Sequence, residues 1–165
     1  MMENKNKSTL EKVSFPYTYA LLEESLTADS AYIARSIYDT AAEKSSVLPI
    51  ILTEDDRDFI TSRISRACID IVTRLVAYVG EETQFEEDPY TFVLNLPSGR
   101  NAAIDTLIAH ELQRAIIAHI LAGWYELRLP ELAARQWQLY EAAIAMVRHD
   151  IYMARGKVHR VGSFY

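Results

Sequence analysis

Hydrophobic residues recur at intervals of three and four along most of the chain, a spacing that is typical of amphipathic α-helices. Short polar stretches and isolated glycines and prolines separate the periodic segments. The pattern predicts four main helices, and Asp29 or Ser30 would divide the first of them into two if either capped a break. The predicted helices cover about residues 17–44, 53–79, 101–128 and 130–155, and Asn101 is placed to cap the third.

The second helix has the clearest predicted limits. Thr53 precedes Asp56 by three residues, which is the spacing of a capping box, and acidic residues here lie near the positive end of the helix dipole. Gly80 is placed to end the helix as a C-terminal glycine. Between these limits one apolar stripe predicts the face that packs in the core: Ile60, Ile64, Cys68, Ile71, Leu75 and Tyr78.

Residues 90–96 change the hydrophobic period from helical to alternating. The sequence YTFVLNL is rich in β-branched and aromatic residues, and Phe92, Leu94 and Leu96 fall on one face. The preceding EEDP predicts a turn, and Thr83–Phe85 is a candidate partner strand. Because an isolated hairpin is barely stable in water, we expect it to pack on the helices or on a neighbouring chain. The fold class is therefore mainly α, with about four helices and a short β-hairpin between the second and third.

The chain of 165 residues is long enough for one domain with a substantial core. Residues 1–16 are predicted to be a polar N-terminal arm because they lack periodicity, and residues 17–153 a single helical domain. Residues 154–165 form a basic and aromatic tail, which is either a frayed end or a docking peptide, since arginine and aromatic side chains dominate many interfaces. The candidate docking residues are Arg155, Lys157, Arg160, Phe164 and Tyr165.

Charge and composition argue against several classes of function. The net charge of −6 disfavours a general binder of nucleic acid or anionic membranes, because no basic excess is available to neutralise phosphates. The longest apolar run, Ala115–Tyr125, is shorter than the ~20 residues that cross a bilayer, and the polar N-terminus lacks the apolar core of a signal peptide. A single cysteine, Cys68, excludes an intramolecular disulfide and a cysteine-based zinc cluster. We expect a soluble protein without membrane contact.

The candidate catalytic residues fail on spacing or setting. His110 and Glu111 resemble the start of a zinc-protease helix motif, but Arg114 occupies the position of the second histidine. His119 lies nine residues after His110, which does not bring both imidazoles onto one helix face as metal ligands. Cys68 falls on an apolar stripe, where cysteine usually behaves as a small hydrophobic side chain. The sequence predicts no catalytic residue, no cofactor and no metal site, so we do not expect an enzyme.

The segment Thr53–Arg128 resembles the small helical head–tail connector proteins of long-tailed bacteriophages. In that family an early helix opens with acidic residues and continues with Ile and Ala at helical spacing, as TEDDRDFITSRISRACIDIV does here. A short β segment follows, matched by PYTFVLNLP, and a later helix carries an apolar run leading into an aromatic residue, Tyr, Glu, a spacer and Arg. The matching residues of the later helix are Ala115, Ile116, Leu121, Trp124, Tyr125, Glu126 and Arg128.

The resemblance implies a structural subunit that forms a homo-oligomeric ring, commonly a dodecamer, beneath the portal protein. Such a ring extends the DNA channel without sequence-specific DNA binding, and it docks tail and neck proteins. It would belong to the neck of the virion and be assembled in the host cytoplasm. The acidic net charge suits a conduit in which DNA slides, because clustered Lys and Arg would bind the phosphates.

The third helix has more apolar surface than one packing face requires, so one side is predicted to meet a neighbouring subunit. Ile104, Ile108 and Leu112 are predicted to lie in the subunit's own core. The predicted subunit interface consists of Ile117, Leu121, Trp124, Tyr125 and Arg128.

Two other functions remain open. A small helical adaptor or regulator would bind one protein partner through Trp124, Tyr125 and the C-terminal tail, and it would form a one-to-one complex rather than a ring. An enzyme would use a metal held by His110, Glu111 and His119, which metal analysis of protein purified without chelators would detect.

Overall fold

The structure is a computed structural model that describes residues 9–38 and 50–155. It is mainly helical, with four helices and antiparallel β-structure between the second and third, as the hydrophobic pattern predicts. The helices are α1 (Tyr19–Tyr38), α2 (Arg57–Leu75), α3 (Ala102–Tyr125) and α4 (Pro130–Ala154). The strands are β1 (Leu10–Tyr17), which precedes α1, and β2 (Tyr90–Pro97), which lies between α2 and α3.

Short polar side chains define where two of the helices begin. The backbone N–H of Thr53 donates to the Asp56 carboxylate at 2.9 Å, and a 3-10 turn, Glu54–Asp56, leads from this cap into α2. The Asn101 side chain accepts a hydrogen bond from the Ala103 N–H at 3.0 Å and caps α3, as predicted. Both helix starts therefore lie close to the positions that the sequence indicates.

The end of α2 differs from the prediction. The helix ends at Leu75, so the prediction that Gly80 terminates it is wrong. The backbone N–H of Gly80 instead donates to the Val93 carbonyl at 2.7 Å, because the chain has already turned alongside β2. A Cβ added at Gly80 would come within 3.2 Å of the Val93 side chain, so the close approach of the two segments favours glycine.

The continuous partner of β2 is the N-terminal strand β1, which pairs with it antiparallel over eight residues. The prediction of a polar arm over residues 1–16 is therefore wrong from residue 10 onward. The signal for a strand is the alternation of Val13, Phe15 and Tyr17, of which the last two are buried. The arm looked polar because the intervening residues face outward.

The hairpin predicted between α2 and α3 is present but irregular. Thr83–Phe85, the candidate partner strand, contributes one bridge, from Gln84 to Thr91, and a second bridge joins Val79 to Leu94. These bridges lie on the edge of β2 that does not pair with β1. β2 therefore has β1 on one side and the chain after α2 on the other. The sheet is thereby tied to both the N-terminus and the helical bundle.

α3 is the central helix of the bundle. It packs against α4 along most of its length and also contacts α1, α2 and β1. Every residue of Ala115–Ala122 is buried, as expected for a helix that is apolar on all sides. Ile108 and Leu112 are fully buried, as predicted, and Ile104 is half-buried against the same core. The chain's own elements therefore enclose the long apolar run.

Candidate functional site

The predicted subunit interface on α3 falls largely inside the molecule. Ile117 is 6% exposed, Leu121 1% and Tyr125 0% in the isolated chain. The interface prediction is therefore wrong for Leu121 and Tyr125, because α1, α2 and α4 already surround this part of α3. Ile117 reaches the surface only as part of the lining of a groove.

The Trp-Tyr-Glu-x-Arg ending of α3 holds the chain segment that leads into α2. The Trp124 indole N–H donates to the Ile50 carbonyl at 2.8 Å, and the ring packs edge-on against Phe59 with centroids 5.0 Å apart. The Arg128 guanidinium carbon lies 4.1 Å from the Trp124 ring centroid, within the range of a cation–π contact. Trp124 is half-buried and Arg128 is exposed, so a role for these two residues in an interface stays a prediction.

The predicted docking tail begins where α4 ends. Arg155 is exposed, and its backbone N–H donates to the Tyr152 carbonyl at 3.1 Å. The other candidate residues of the tail lie outside the described residues, and their role in docking a partner stays a prediction: Lys157, Arg160, Phe164 and Tyr165.

A buried histidine on α3 contacts an acidic residue on α2. The Nε2 atom of His119 lies 2.8 Å from Asp70 Oδ2, and the Asp70 side chain is half exposed. Trp137 and Tyr140 of α4 enclose the imidazole, with ring centroids 5.0 and 5.3 Å from its own. Sequence reasoning missed this pair because 49 residues separate its members, and only the packing of α2 on α3 brings them together.

Burial determines the charge of His119. Removal from water lowers the pKa of the imidazole, and the charges of Arg63 and Arg66 lower it further, against the opposing effect of the Asp70 hydrogen bond and charge. His119 is therefore neutral at physiological pH. Because the Asp70 carboxylate can only accept, the proton is assigned to Nε2. Nδ1 has no hydrogen-bond partner within the described part of the chain.

This geometry gives the His119–Asp70 pair a structural role. A general base must come within hydrogen-bond reach of a proton on its substrate. Nε2 is hydrogen-bonded to the Asp70 carboxylate and Nδ1 is buried, so neither ring nitrogen of His119 is open to a substrate in this conformation. The pair instead joins α2 to the aromatic cluster between α3 and α4.

The residues considered for a metal site do not converge. His110 Nδ1 lies 3.4 Å from Glu111 Oε1, and Arg114 donates to both oxygens of the Glu111 carboxylate at 2.9 and 2.8 Å. His119 faces α2, on the other side of α3. Among residues 9–38 and 50–155, no group of three or more His, Cys, Asp or Glu side chains is arranged to hold a metal ion. Cys68 is a buried core residue as expected, and burial raises the pKa of its thiol to about 12.

A groove of about 530 Å³ lies between α1, α3 and α4. Its lining is partly apolar, with Ile117 and Leu139, and partly charged, with Glu24 and Asp29 on α1 and Arg114 on α3. Gln136 also lines it, is only 7% exposed, and has no hydrogen bond to any residue that the structure describes.

The stability of the protein should fall as the pH drops below about 6.5, the ordinary pKa of histidine. In the unfolded chain His119 takes up a proton near that pH, whereas the folded state resists protonation because the pKa of buried His119 is lowered. The unfolded state then binds more protons, so the loss begins near pH 6.5 and continues down through the folded-state pKa. Urea unfolding at about pH 7.5 and 5.5 measures the difference.

Two matched variants test whether His119 causes this pH dependence. His119→Gln should remove most of it, whereas His110→Gln should retain it, because His110 is exposed. Equal pH dependence in the wild type and His119→Gln would show that another group is responsible.

Comparisons with known proteins do not identify the chain: no protein-family model, no curated protein and no solved structure matches it. Within the described ranges, none of the helices combines the length and the apolar character needed to cross a membrane.

Proposed function

We propose that the protein is a head–tail connector subunit of a bacteriophage, which forms a homo-oligomeric ring beneath the portal protein. The observation that carries the proposal is the order helix, β segment, helix over Thr53–Arg128, with acidic residues opening the first helix and Trp-Tyr-Glu-x-Arg closing the second. The ring would extend the DNA channel and dock tail components, in the neck of a virion assembled in the host cytoplasm.

Several residues that carry the resemblance stabilise the ends of helices in this fold. Thr53 and Asp56 cap the helical segment that contains α2, and the Arg128 guanidinium stacks on the Trp124 ring where α3 ends. Side chains that fix the ends of helices are what a rigid ring subunit needs, because its contacts with neighbours depend on a constant shape. This supports a structural protein rather than a site for chemistry.

Apolar side chains outside the buried run of α3 are available to join subunits. Large apolar side chains are exposed on the outer face of α2, at Ile69, immediately after α2, at Val76, and on α4, at Met146 and Met153. Apolar residues clustered on a surface often mark protein interaction sites. Two separate surfaces of this kind suit a ring, in which each subunit contacts two neighbours through different faces.

The acidic net charge is compatible with a DNA channel. A total of −6 leaves no general excess of Lys and Arg to hold the phosphates of passing DNA. The proposed ring therefore passes DNA without sequence-specific contacts, and its lasting partners are other copies of itself, the portal protein and tail proteins.

Stoichiometry distinguishes this proposal from the alternative of a small helical adaptor. Light scattering combined with size-exclusion chromatography should give a closed oligomer of fixed mass, a multiple of 18.8 kDa. An adaptor that uses the exposed Arg128 and Trp124 end would be monomeric alone and would form a one-to-one complex with its partner. A monomer that never joins a portal or tail component would contradict the connector proposal.

A further inference from the structure

We draw no further inference here: the strongest candidate, the groove between α1, α3 and α4, is lined by apolar side chains together with charges of both signs, and nothing in the structure shows what covers it.

Discussion

Leu121→Asp should leave the protein unfolded at room temperature. Leu121 lies in the middle of the central helix and is 1% exposed, so the substitution removes a core side chain and places a carboxylate where no partner or water is available. Loss of a buried leucine alone costs about 2–5 kcal/mol, and the unpaired polar group adds to this. The sum approaches the whole stability of a typical domain, about 5–15 kcal/mol.

Circular dichroism and urea unfolding measure this result, and the same substitution elsewhere on α3 provides the control. Leu107 is 54% exposed, so Leu107→Asp should cost only about 1 kcal/mol or less and should leave the helical signal intact. If Leu121→Asp gave a folded monomer that merely failed to associate, the interface originally predicted for this face of α3 would be right after all.

Trp124→Ala should have the second largest effect, a loss of about 3 kcal/mol in the free energy of unfolding. The indole joins three parts of the chain: it donates to the Ile50 carbonyl, packs against Phe59 and lies under Arg128. Truncation removes all three contacts and releases the segment that leads into α2. Trp124→Phe keeps an aromatic ring and should cost about 1 kcal/mol, mainly for the lost hydrogen bond.

The control for this position is the fully exposed Leu127 in the same turn, where Leu127→Ala should change stability by less than about 0.5 kcal/mol. Chemical unfolding of the three variants gives the comparison. If Trp124→Ala left stability unchanged but abolished binding to a partner protein, the main role of Trp124 would be to bind that partner, as in an adaptor, and not to stabilise the fold.

The helices were predictable because their signals are local. The Thr53 cap, the Asn101 cap and the apolar spacing between them depend on residues within one or two turns, and the structure places α2 and α3 accordingly. β1 was missed because its alternation involves only Val13, Phe15 and Tyr17 and follows a polar N-terminus. Its stability comes from pairing with β2, about eighty residues away in the chain, which no local pattern reports.

The candidate surfaces were harder to predict because they also depend on contacts between distant parts of the chain. The apolar run around Leu121 indicates burial, but the sequence does not state whether the chain itself or a neighbour covers it. A helix that is apolar all round belongs in the interior, and α3 has helices of its own chain on several sides. The His119–Asp70 pair and the groove at Gln136 both arise from helices that meet only in the folded chain.

Electron microscopy of the purified full-length protein tests the central claim most directly. A connector subunit should appear as a closed ring of uniform diameter around a central hole wide enough for duplex DNA. Particles that remain single 18.8-kDa subunits at every concentration, or open filaments of variable length, would contradict the assignment of this chain as a connector ring subunit.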